Sequence, residues 1–137
     1  MSPRIDRRSF LRSFSAAAAA LVFLRRPVRA LDAPKHPVPR KGITGAYVLT
    51  RKDLSKHPEL IPLFDSVRAR PGIFDGIRCS CGCPNEMELY SLLSCFEGKG
   101  MAQGCIVCQE EARLVVKLHR QGKTLGQIRA AFDAEFS

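Results

Sequence analysis

Cys79-Ser80-Cys81-Gly82-Cys83, preceded by Arg78 and closed by Pro84, places three thiols within five residues. On an α-helix, steps of two residues turn about 200° and would scatter these sulfurs around the axis. On an extended or turning segment they converge, and Gly82 permits the tight path. The stretch therefore reads as a loop that gathers sulfur, around which the other elements are arranged. Three more cysteines follow, Cys95, Cys105 and Cys108, and the 137 residues contain no others.

Toward the C-terminus, Asn85-Glu86-Met87-Glu88 has the form of a capping box. It predicts a helix through Leu89, Tyr90, Leu92 and Leu93 to about Cys95, broken by Glu97-Gly98-Lys99-Gly100. The next helix opens at Cys105-Ile106-Val107-Cys108. Thiols at i and i+3 in a first turn share a face, and the helix dipole favours thiolate there. Glu110 and Glu111 are assigned to dipole compensation, and Cys108, Ala112, Val115 and His119 to one face, extended by Leu114 and Leu118. Gly122 suits the C′ position that ends this helix. Thr124-Leu125-Gly126-Gln127 is a second capping box, for a last helix through Ile128, Ala131, Phe132 and Phe136. His119 suits a helix C-terminus as a cation, and Met87 and Met101 are expected to pack rather than ligate.

Toward the N-terminus, Pro58 to Arg68 reads as a helix, with Pro58 at its first position and Ser55 or His57 as cap. Leu60, Leu63, Phe64 and Val67 form its i, i+3, i+4, i+7 stripe. Arg70-Pro71-Gly72 ends it, and Ile73, Phe74 and Ile77 give a short apolar turn that delivers the chain to Cys79. His57 is expected in solvent. Tyr47 to Leu54 supports only a short turn or strand. The domain is thus predicted over 47–137, all-α, small and with cysteine-rich loops. Residues 31–46, with Pro34, Pro37 and Pro39 among scattered Lys and Arg, read as a flexible, disordered linker in which His36 is solvated.

Residues 1–30 have the plan of an export signal: Arg7-Arg8-Ser9-Phe10-Leu11, an apolar run from Ala16 to Leu24, and Val28-Arg29-Ala30. The run falls far short of the ~20 residues needed to span a bilayer. The paired arginines point to twin-arginine translocation, with cleavage after Ala30, 107 residues in the mature chain and no stable membrane span. The export machinery is then the first partner and the periplasm the destination. The formal charge of +9 belongs mostly to this leader. From Leu31 onward, 15 Lys+Arg face 12 Asp+Glu, a net of +3, too modest and too dispersed to suggest nucleic-acid binding.

The C-x-C-G-C run, Cys95-Phe96, Cys105-x-x-Cys108 with Glu111-Ala112, and the tail Gln121-Gly122-Lys123-Thr124 with Ile128-Arg129 and Phe132-Asp133 resemble the PCYCGC-motif family of exported bacterial proteins. The likeness runs from about Glu59 to Ser137, with Arg78 standing for that motif's proline and Ser80 for its tyrosine. It implies that all six cysteines matter and assigns no activity.

Three functions fit the thiols. The first is a soft-metal site built from Cys79, Cys81, Cys83, Cys95, Cys105 and Cys108, with another exported metalloprotein as a candidate partner. Copper(I) is favoured over zinc, which takes four ligands, and over iron–sulfur clusters, whose usual C-x-x-C-x-x-C spacing is absent. The second is a disulfide framework pairing Cys79, Cys81 and Cys83 with Cys95, Cys105 and Cys108 in an oxidising compartment. The third is a thiol–disulfide oxidoreductase using Cys105 and Cys108. No Ser/His/Asp set, phosphate loop or paired acid and base suggests any other enzyme.

Overall fold

The computed structural model describes residues 35–83, 89–99 and 101–136; the predicted export signal and the predicted Asn85–Glu88 capping box lie outside them. Among the described residues there are four α-helices: α1 (Ile61–Arg68), α2 (Pro71–Asp75), α3 (Ile106–Arg120) and α4 (Leu125–Glu135). Short 3-10 turns span Pro58–Leu60, Leu93–Phe96 and Met101–Gln103. The only strand-like pairing described is an isolated antiparallel bridge between Val48 and Glu97. None of these helices is long and apolar enough to cross a membrane.

The predicted first helix divides at its prolines. Pro58 starts the 3-10 turn, and α1 begins at Ile61 with Pro62 inside its first turn, where a missing N–H is tolerated. His57 is the N-cap without a side-chain hydrogen bond, so the expected cap is not made. Leu60, Phe64 and Val67 are buried and Leu63 is half-buried. Phe64, Phe74 and Phe96 meet at the centre, with ring centroids 4.7 Å apart for Phe64–Phe96 and 6.5 Å for Phe74–Phe96. Each such fully buried side chain contributes about 1.5–3 kcal/mol.

α3 buries Cys108, Ala112 and Val115 against this core. It ends as the sequence requires. Gly122 has φ +76°, its N–H donates to the His119 carbonyl, and the Lys123 N–H reaches back to Leu118 at 3.1 Å. This is a Schellman end that satisfies two carbonyls. Thr124 then caps α4 reciprocally with Gln127, at 3.0 and 3.3 Å.

The helix foreseen through Leu89 to Cys95 is absent from its described part: Leu89 and Tyr90 are irregular, and only Leu93–Phe96 coils, as a 3-10 turn. The Leu92 N–H donates to the Ile77 carbonyl at 2.8 Å, and Ser91 Oγ donates to buried Asp75, so both residues are drawn out of a helical ladder.

The linker differs too. From Lys35 on it belongs to the same compact unit as the helices and is tied down along its length. Arg129 donates to the Pro37 carbonyl at 2.7 Å, Tyr90 Oη donates to that of Val38, and Arg40 grips Asp75. His36, expected in solvent, has a side chain only 9% exposed. Its Nδ1 accepts the Arg78 N–H at 3.1 Å, its Nε2 lies 3.1 Å from Asp133 Oδ1, and its edge meets Phe132. Burial, above all, holds its pKa below the usual value. Its acceptor role at Nδ1 fits the neutral ring.

Candidate metal centre

The loop after α2 carries the thiols inward because both sides of Cys79 are held. On one side, the Arg78 guanidinium donates to Asp133 at 3.0–3.2 Å and lies over the Phe132 ring. On the other, the Ser80 N–H and Oγ–H both donate to Glu111 Oε1, the former at 2.7 Å. Gly82, at φ +85°, then turns the chain in a conformation that side chains disfavour.

This path brings together sulfurs from distant parts of the sequence. Cys79 and Cys81 Sγ are 3.1 Å apart, and each lies 3.6 Å from Cys108 Sγ in the first turn of α3. The three form a group, all within 4.8 Å of one another, able to hold a metal ion. Cys95 lies outside the group, fully buried, with Sγ 3.9 Å from the Ser91 carbonyl and its thiol interacting with those of Cys79 and Cys108. Cys83, half-buried, interacts with Cys81. Cys105 is the half-buried N-cap of α3 and lies outside the three-sulfur group. All six are free thiols.

Charge is unevenly shared. Hydrogen bonds from Cys108 and then Cys95 hold Cys79 far down as thiolate, at about 2, against the opposing effect of burial. Cys108 is held protonated by its hydrogen bonds to Cys79 and Cys95 and by burial, and Cys81 is raised chiefly by burial. For Cys95 the contact with Cys108 favours the thiolate, but the Cys79 hydrogen bond and burial together outweigh it. Deprotonation is thus favoured at Cys79 and opposed at Cys81, Cys95 and Cys108. A soft cation can replace their protons, since thiolates are its natural ligands.

Glu111 does not sit where its charge suggests. It lies beyond the first turn of α3 and is fully buried, so dipole compensation does not describe it. Its Oε2 has no hydrogen-bond partner among the described residues. Burial, opposed by the Ser80 hydrogen bonds and reinforced by Cys79, pushes its carboxyl up to about 8. A signal existed: Glu111 stands three after Cys108 and four before Val115, on the buried face. Glu110, by contrast, is exposed and pairs with Arg113 at 2.6 Å. Met101 is 41% exposed rather than packed, and Met87 lies outside the described residues. His119 sits in the last turn of α3, where a cation suits the dipole.

The raised carboxyl has a pH consequence. A carboxyl whose folded pKa stands above its unfolded value of 4.5 contributes stability that is complete below 4.5 and lost as pH rises through about 8. In metal-free protein, Glu111→Gln is expected to flatten that decline, read as melting temperature against pH from about 5 to 8.

No family model, curated protein or solved structure matches this chain.

Proposed function

We propose that the protein is an exported, small cysteine-rich protein that binds a soft metal ion through thiolates, copper(I) ahead of zinc, for storage, delivery or homeostasis. The observation that supports it is the convergence of Cys79, Cys81 and Cys108 from two separate segments within 4.8 Å. Copper(I) accepts three thiolates, whereas structural zinc almost always takes four ligands. Cys95 is a candidate for a fourth ligand and Cys83 for a bridging one. The paired arginines of the leader support export, and the resemblance to PCYCGC-motif proteins agrees with it.

Protein purified anaerobically from the exported fraction is expected to carry metal in near-integral stoichiometry. Elemental analysis with intact mass under native and denaturing conditions measures it. A metal-free chain, lighter by a pair of hydrogens for every bridge formed, would replace this reading with disulfide staples.

A further inference from the structure

We infer that Glu111 is the positioning residue of the thiol site, setting the Cys79–Cys81 loop in register with Cys108. The inference rests on the metal-site reading. α3 meets the loop at two points. One is sulfur, Cys108 Sγ at 3.6 Å from both Cys79 and Cys81. The other lies one helical turn further on, where Glu111 Oε1 accepts both the N–H and the Oγ–H of Ser80. Ser80 separates the two loop cysteines. Fixing its amide therefore fixes the peptide between them, and with it the direction in which both thiols leave the backbone.

The Glu111 carboxyl group is poorly explained as packing. Glu111 has no exposed surface, and Oε2 has no hydrogen-bond partner among the described residues. A buried oxygen left in this state is destabilising, and a leucine would fill the space without that penalty. A leucine could not hold Ser80. Outer-shell groups that orient ligands in this way typically account for about 10–100-fold in metal affinity.

The test uses the full exported chain with Glu111→Ala, Glu111→Gln and Ser80→Ala. Copper(I), supplied anaerobically against a chelating competitor, gives affinity and the ultraviolet thiolate-to-copper band. Iodoacetamide alkylation of metal-free protein, resolved cysteine by cysteine by mass spectrometry, reports loop order without metal. Glu111→Ala is expected to weaken copper(I) binding at least about tenfold, alter the band, and speed alkylation of Cys79 and Cys81 but not Cys105. Glu111→Gln, whose amide oxygen accepts the same donors, restores both readouts, and Ser80→Ala falls between. Wild-type behaviour of Glu111→Ala, or a folded Glu111→Gln as defective as it, overturns the inference. Should Glu111→Ala not fold, an unchanged Ser80→Ala overturns it instead. A wild-type chain that takes no copper(I) sinks the metal reading alone, and the alkylation arm still decides the positioning.

Discussion

Cys108→Ser is expected to remove nearly all copper(I) from the protein, while Cys105→Ser leaves loading close to wild type. The two cysteines belong to one C-x-x-C motif, and the contrast comes from where the helix puts them. Cys108, in the first turn of α3, is fully buried and 3.6 Å from two other sulfurs, whereas Cys105 is the half-buried N-cap outside that group. Losing Cys108 removes one of three converging donors and leaves a hydroxyl, a hard ligand with little affinity for a soft ion. Metal per chain, measured on folded variants, reads the difference. Equal losses in the two variants would mean that the motif works as a pair, as an oxidoreductase would use it.

Arg40→Ala is expected to destabilise the domain by about 2–3 kcal/mol, lowering the melting temperature by about 10 °C or more. Asp75 is fully buried and receives the Arg40 N–H at 2.7 Å, Arg40 Nη2 at 2.7 Å, Nε at 3.1–3.2 Å and Ser91 Oγ–H at 2.8 Å. Breaking a fully buried pair costs about 3–5 kcal/mol, and the smaller figure reflects an Arg40 side chain that still reaches water. Arg40 also lies over the Tyr90 ring, 4.7 Å from its centroid. Burial opposes ionisation of Asp75, yet the Arg40 and Ser91 donors leave its pKa below 3.8. The pair's contribution is therefore present above pH 3.8 and lost as pH falls through the lower folded value, so wild type and variant should converge in acid. Thermal unfolding near neutral pH checks the magnitude. A free tether would show no change.

What the sequence disclosed and what it hid divide along physical lines. Gly122 and Thr124-x-x-Gln127 were legible because a Schellman end and a capping box depend on a few adjacent residues, and both form as read. The sulfur loop was legible at Cys79 and Cys81, which lie outside any helix because steps of two residues cannot gather sulfurs on one helical face, whereas Cys83 is helical. The order of the linker is not legible because Pro37, Val38 and Arg40 have tether composition, and what holds them is Arg129, Tyr90 and Asp75, 35 to 92 residues away. Ser91 and Leu92 failed as helix for the same reason, since Asp75 and Ile77 claim their donors. Glu111 is the instructive case. Its spacing put it on the buried face, but its charge argued for the surface until its partner, Ser80, was in view.

X-ray absorption at the copper edge of anaerobically loaded protein tests the central claim most directly. The account predicts a first shell made of sulfur alone, at about the 2.3 Å typical of metal–thiolate bonds, and lost in Cys108→Ser. A shell dominated by nitrogen or oxygen, or protein that retains no metal under these conditions, would contradict it.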